Sequence, residues 1–405
     1  MRDALHDRPS IWAARPRSPA HLVIFVAVLT LAMSQIGSGP GQGIAGDVER
    51  SDAVGDWLVV NALKDGLDPH SDLRDLADHY DVVLWGGEDA NDRIQKHPRT
   101  PGALVLLYPL TATSAEGAHL AMQWVGLLAI AVGMVVLGTH FSFTWVTVFV
   151  GLSFSLLLGP ARWSLLLGSQ SPVLFLCIAL FLVLIDQGDR PLAGLWLAIA
   201  GTLKLFPLIL LALLISRRAK KTAIATGVIL LGLNLIPFLL PNVTLQSTWV
   251  ALTSTAESWF DISANIGLAA TLERTLGLGS VSPVVIGVIV IGVSSVTVLV
   301  RKGSLGVAST LLLSAGILAL PLAWPHYILA VVPAVLLVLS EGSLNRVERV
   351  IVLVGAALTV PFDRVGLHTL GLGLIAIVLT MHLWILDRMP VAPNVIHADA
   401  HDPSG

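Results

Sequence analysis

A succession of apolar runs, most of them long enough to cross a lipid bilayer, decides what this chain can fold into. They fall at about 20–36, 117–138, 142–160, 171–185, 191–216, 222–240, 283–300, 304–322, 326–341, 346–362 and 367–386. A spanning helix needs about 20 mostly apolar residues, with a range of about 17–25. Only 13% of the 405 residues are charged and 55% are hydrophobic, whereas a soluble domain carries about 25% charged residues. Lipid is the natural solvent for that excess, and it admits only helices and closed barrels as spanning structures. The runs have helix length, so the expected fold is all-α: a polytopic transmembrane bundle of about 10–13 helices, with a long outer loop carrying short helices.

The formal net charge of −3 gives no footprint for a nucleic acid. The single cysteine, Cys177, lies in an apolar run; it excludes an intrachain disulfide and reads as a small buried hydrophobe. Arg2, Arg8, Arg15 and Arg17 precede the apolar stretch Leu22–Met33, the outline of a signal peptide. No A-x-A-like site follows cleanly and many spans come after it, so it reads as a retained first helix.

Run 191–216 holds Gly201, Lys204 and Pro207 at its middle. As one span it would put Arg217, Arg218, Lys220 and Lys221 opposite the Arg-rich N-terminus. Two short helices turning near "GTLKLFP" avoid this, since broken helices are tolerated where the freed backbone meets protein or water. About twelve crossings follow, with both termini inside. Inside segments then carry 14 of the 24 Lys and Arg, and short outside segments only Arg162, Lys204, Arg274 and Arg364, as the positive-inside rule requires. The expected organisation is a cytoplasmic tail over 1–19, a membrane domain over 20–386 and a cytoplasmic tail over 387–405.

Two outside loops are long. The first, 37–101, holds 13 of the 27 Asp and Glu, and long loops without structure of their own are uncommon unless functional. Helical patterns cover Asp52–Asp65 and Ser71–Tyr80, and "GLDPH" between them reads as a helix stop and turn. The second, 241–282, carries Trp249, Trp259 and Arg274. The segment "PGALVLLYPL" at 101–110 is apolar but too short to span, which suits a re-entrant or interfacial helix.

In this topology Gln170, Lys204 and His326 each sit at an outer turn between apolar runs. Polar groups at membrane depth are expensive and default to functional hypotheses. Asp52 and Asp56 are four residues apart, so their carboxylates share one helix face. They read either as a solvated acidic face or as a general base with an orienting partner. Lys204 either snorkels to the interface or binds a phosphate as a point charge. His326 either belongs to an aromatic belt beside Trp324 and Tyr327 or donates a hydrogen bond to a phosphate or sugar hydroxyl. Arg274 alone reads as an ordinary loop charge. The sequence has no H-E-x-x-H, G-x-S-x-G or phosphate-loop motif, and His397 and His401 read as part of a tail.

The ordered motifs from about 45 to 340 resemble those of glycosyltransferase family 87, membrane enzymes of the GT-C superfamily. "SDAVGDWLVVNALKDGLDPH" is similar to the family's Asp after the first helix followed by a G-x-D-P-Y-like turn, with His70 in place of Tyr. "HPRTPGALVLLYPL" is similar to its Pro-rich text before a short apolar helix, "GSQSPVLF" to its G-Q-x-N-like motif and "GTLKLFPL" to its Lys-Pro-like motif. "SANIGLAATLER" and "LAWPHYIL" complete the order. The resemblance implies transfer of a hexose, with mannose the default, from a polyprenyl-phosphate-linked donor to a glycolipid or lipoglycan acceptor. It implies inversion at the anomeric carbon and a site on the outer face of a bacterial plasma membrane. The expected catalytic groups are Asp52, then Asp56. Lys204, His326 and Arg274 are the expected donor-phosphate ligands, and Gln170, Asn265, Trp324, His97 and Arg99 the sugar and acceptor contacts. A lipid phosphate is already a good leaving group, so neither a metal nor a cofactor is required. The rival reading is a transporter or flippase of a lipid-linked substrate; inverted repeats would mark it, and none is visible in the sequence.

Overall fold

Every element of the computed structural model is helical among the described residues, which are 51–84, 96–144, 148, 151–152, 159–262, 264–277, 282–359 and 365–386. The first apolar run, both tails and most of the 142–160 run lie outside them. In chain order the helices are α1 (Asp52–Lys64), α2 (Leu73–His79), α3 (Pro101–Leu107), α4 (Ala115–His140), α5 (Gly159–Leu166), α6 (Ser171–Asp186), α7 (Pro191–Leu203) and α8 (Leu211–Ser216). They continue as α9 (Lys220–Leu235), α10 (Leu245–Ser258), α11 (Leu268–Leu276), α12 (Pro283–Arg301), α13 (Leu305–Leu318), α14 (Val332–Ser340), α15 (Arg346–Leu358) and α16 (Val365–Leu386). Short 3₁₀ turns at Tyr108–Ala112, Phe206–Leu210, Ile236–Leu239 and Pro325–Val331 extend or introduce several of them.

Among the described residues four stretches are long and apolar enough to cross a membrane: Ala115–His140, Lys220–Leu239, Pro283–Arg301 and Gly366–Ile385. Shorter apolar helices pack among them. α13 is buried along its whole length. By contrast α9 leaves Ile224, Val228, Leu231 and Leu235 exposed, and α12 leaves Val284, Val288, Val293 and Val300 exposed. Such outward apolar faces are what lipid-facing helices present. α7 and α9 touch backbone to backbone: a Cβ at Gly194 would lie 2.5 Å from the Thr222 carbonyl.

Run 191–216 is broken as its sequence implies. α7 ends at Lys204, whose extended backbone (φ −147°, ψ 138°) cannot continue the helix. The chain then reverses through the Phe206–Leu210 turn into α8. The far ends of the hairpin meet again: Lys221 N and Thr222 N donate to Asp189 (2.9 and 2.8 Å), just before α7. Other contacts at that end are His140 with Asp186 (2.9 Å), Ser304 and Gly306 N with Glu341 (2.5 and 2.8 Å), and His382 with Glu348 (3.0 Å). Arg217, Lys220, Lys221, Arg301 and Arg346 begin or end helices there. Ser51, Gln170, Lys204, Asn265 and His326 lie at the opposite end. That alternation follows from the successive up and down helices.

The first-loop helices form where expected, α1 capped by Ser51 and α2 by Asp72. Three short helices have no counterpart in the sequence reading. α5 precedes Gln170, and α10 and α11 occupy the second loop. α3 is capped by Thr100 and followed by the 3₁₀ turn at Tyr108–Ala112, and the two together are too short to cross.

Candidate active site

The site begins with the way α1 is held. Ser51 precedes the helix in an extended conformation, and its Oγ accepts from Ala53 N (3.1 Å), satisfying one of the orphan amides of the first turn. The same hydroxyl donates to the Leu167 carbonyl (2.9 Å) and is 2.6 Å from His119 Nδ1. Its one proton goes to Leu167, so His119 is assigned as donor at Nδ1 and accepts from Gln123 at Nε2 (3.0 Å). Gly168, at φ +60°, lets the 167–168 turn approach so closely that a Cβ there would sit 2.9 Å from Ala53 Cβ. The start of α1 is thus fixed to α4 and to the turn before Gln170.

One turn further along, Asp56 is fully buried. Its Oδ1 accepts from Arg99 Nε (2.6 Å) and His97 Nε2 (2.9 Å), and its Oδ2 from Gln170 Nε2 (2.8 Å). Burial pushes the Asp56 carboxyl upward, but the Arg99 guanidinium and His97 outweigh it and hold it well below the usual carboxylate range. Burial also lowers the His97 pKa, so a neutral ring donates through Nε2–H. Asp56 therefore ties together α1, the 97–99 segment and the start of α6, with both carboxylate oxygens engaged and no surface exposed.

Asp52 has the complementary environment. Its carboxylate makes no hydrogen bond among the described residues and keeps 32% of its side-chain surface open, although it lies deep in the protein. An accessible group at that depth faces a cleft. Burial raises its pKa above the usual carboxylate value, and Arg99 and Lys204 oppose that only in part. Across the cleft His326 Nε2 stands 4.0 Å from Asp52 Oδ2. That is too far for a direct hydrogen bond and is the spacing an inserted oxygen would bridge.

The rest of the cleft wall is cationic and aromatic. Lys204 Nζ donates to Tyr327 Oη (3.0 Å) and lies 4.7 Å from the centroid of that ring. Two of its three donors are thereby left for other acceptors. Arg99 spends only its Nε on Asp56; its Nη groups make no hydrogen bond among the described residues. Tyr327 stacks on Phe206 (5.8 Å) and meets the His326 ring edge-on (4.9 Å). Trp324 stacks on His326 (6.5 Å, 6°) and meets Trp259 edge-on (5.9 Å). Gln170 Oε1 and Ser171 Oγ, at the start of α6, are buried without partners.

Two expected ligands are occupied elsewhere. Asn265 is fully buried; its amide donates to the Phe260 and Pro321 carbonyls (3.1 and 2.8 Å) and its oxygen accepts from Gly267 N and Ala323 N (2.9 and 3.0 Å). It pins the second loop to the segment leading into Trp324 and His326. Arg274 is exposed and donates to the Ile262 and Asn265 carbonyls and to Thr271 Oγ1, closing its own loop. Both support the site from behind. Spacing alone did not single out Ser51, His119, Gln123 or Tyr327; the Ser-Asp pair opening a helical pattern was the available signal for the first. No group of three or more His, Cys, Asp or Glu suited to a metal occurs among the described residues.

The model of glycosyltransferase family 87 matches residues 100–325, more than half of the chain. No curated protein matches the chain. The matched span contains Gln170, Lys204, Asn265, Arg274 and Trp324; it starts just after Arg99 and stops just before His326. By that match the chain belongs to the family and is a membrane glycosyltransferase.

Proposed function

We propose that this member of glycosyltransferase family 87 transfers a hexose, with mannose the first candidate, from a polyprenyl-phosphate-linked donor to a glycolipid or lipoglycan hydroxyl on the outer face of a bacterial plasma membrane. The observation that carries the reading is the contrast between the two carboxylates. Asp56 is fully buried and held by Arg99, His97 and Gln170, while Asp52 makes no hydrogen bond among the described residues and is open to a cleft lined by Lys204, Arg99 and His326.

In this reading Asp52 takes the proton of the acceptor hydroxyl as that oxygen bonds the anomeric carbon from the face opposite the leaving group. The bond from that carbon to the phosphate oxygen breaks, inverting the configuration, and its electron pair leaves with the lipid phosphate. Lys204 and the Nη groups of Arg99 stabilise the growing negative charge, and His326 bridges the two halves of the cleft. No metal is needed to balance the step. Gln170 Oε1 and Ser171 Oγ supply the sugar with acceptors and donors lacking protein partners. The outer placement is supported by Arg217, Arg218, Lys220 and Lys221 at the opposite end of the bundle.

The test is an in vitro transfer assay with purified protein, polyprenyl-phosphate-mannose and a panel of glycolipid acceptors. Glycosylated acceptor and free polyprenyl phosphate should appear together. If the donor crosses the bilayer intact with no product, the protein is a carrier and the proposal fails.

A further inference from the structure

The spanning helix Lys220–Leu239 is 20 residues long, about 30 Å at 1.5 Å per residue, the thickness of a hydrocarbon core. With Lys220 and Lys221 at one boundary, Leu239 emerges at the other. That is the active-site end, because Asn234 on the same helix accepts from Gly102 N (3.1 Å) beside Thr202. Apolar exposure does not stop there: Leu239 is 83% exposed, Leu245 72% and Trp249 65%, and Leu240 is exposed as well. Leu239 closes the span, and the others follow it in the chain, beyond the boundary it marks.

α10 has three faces at about 100° per residue. Thr248, Ala251 and Thr255 are buried against the protein. Leu245, Trp249, Leu252 and Ala256 form the adjacent apolar face. Gln246, Val250, Thr253 and Glu257 form a third, mainly polar face. A helix divided among protein, apolar medium and water at this depth has the pattern of an interfacial helix, and Trp is favoured at headgroup level.

We propose that α10 is a membrane-surface helix whose Leu245–Trp249 face, continuous with the exposed Leu239 and Leu240, sits in the headgroup and upper acyl region of the bilayer. Its protein face carries a connection to the site. Thr255 Oγ1 lies 2.8 Å from the Lys96 carbonyl, one residue before His97, and shares its one proton between that oxygen and the Ala251 carbonyl of its own helix (2.8 Å); His97 and Arg99 hold Asp56. The lipid contact therefore fixes the height of the 96–99 segment above the bilayer. This holds whatever sugar or donor the enzyme uses.

Cys177 is buried, so single cysteines can be labelled in the native background. Leu245→Cys, Trp249→Cys, Gln246→Cys and Glu257→Cys would each carry an environment-sensitive fluorophore in proteoliposomes of phosphatidylethanolamine and phosphatidylglycerol. All four positions are exposed, so the substitutions remove no core packing. Labels at 245 and 249 should be blue-shifted and quenched by lipids spin-labelled near the headgroup; labels at 246 and 257 should be quenched by aqueous iodide. Iodide quenching at 245 and 249 with no effect of spin-labelled lipid overturns the proposal. Cross-linking between copies through these positions also overturns it, since a second chain would then cover the face. In the double variant Leu245→Gln, Trp249→Gln, amide hydrogen exchange over 96–99 should rise severalfold while α13 stays protected; unchanged exchange refutes the coupling.

Discussion

Replacing Asp52 and Asp56 in turn should separate catalysis from stability within one turn of one helix. Asp56→Ala removes the acceptor for Arg99 Nε, His97 Nε2 and Gln170 Nε2 and leaves a buried guanidinium unpaired. Breaking a buried pair from one side costs about 3–5 kcal/mol, and each further orphaned donor about 1–3 kcal/mol, although these terms do not add fully. A loss of about 5 kcal/mol is a large fraction of the stability of most folded domains. Asp52→Asn removes no hydrogen bond; the lost charge at the helix N-terminus costs about 0.3–1 kcal/mol. The same change removes the base, which is worth about 10²–10⁴-fold in rate. Thermal denaturation of detergent-purified protein, run beside the transfer assay on the same preparation, reads both quantities. Asp52→Asn should melt close to the parent with almost no transfer, and Asp56→Ala should melt well below it or fail to accumulate. An Asp52→Asn enzyme within about tenfold of the parent, or an Asp56→Ala protein of parental stability, would refute the division of labour.

Lys204→Met keeps the aliphatic stem and removes the ammonium; loss of a charged hydrogen bond worth about 1.5–3 kcal/mol should lower kcat/KM for the lipid-linked donor about 10–150-fold, leaving the acceptor KM unchanged in steady-state kinetics. Asn265→Ala orphans Gly267 N and Ala323 N and should lower the melting temperature at a cost of about 2–4 kcal/mol, visible in the thermal scan whether or not substrate is present. Activity and stability should also part along the pH axis. Asp52 works ionised and its pKa is raised, so kcat/KM should fall with decreasing pH above the ordinary carboxylate value of about 3.9. The pKa of Asp56 is depressed, so its stabilisation is fully present above the unfolded value of about 3.9 and is lost only as pH falls through the lower folded value. Circular dichroism and rate profiles that decline at the same pH would contradict this.

Features set by local chemistry were legible in the sequence. Gly201, Lys204 and Pro207 inside one apolar run announce a broken helix, and the chain turns there. Ser51 ahead of an Asp and an apolar pattern announces the start of α1. The alternation of basic and site-bearing turns placed Gln170, Lys204 and His326 at one end. What stayed hidden depends on contacts between distant segments. Two carboxylates on one helix face look equivalent until residues 97–99 and 170 converge on only one of them. Asn265 and Arg274 have the composition of ligands, yet backbone N–H and C=O groups satisfy the first and backbone carbonyls engage the second, and hydrogen bonds to backbone leave no trace in residue spacing. α10 was missed because Ser and Thr dilute its apolar period; burial of Thr248 and Thr255 against the protein stabilises it in place of a continuous hydrophobic stripe.

The hairpin that carries Lys204 is clasped at its base, where Asp189 receives Lys221 N and Thr222 N. Its first limb is 13 residues long, about 20 Å at the helical rise. Pinned at the foot and bent at the top, the two limbs act as a lever with the ammonium at its tip. The position of the cation beside Asp52 is therefore set partly by a carboxylate at the other end of the bundle.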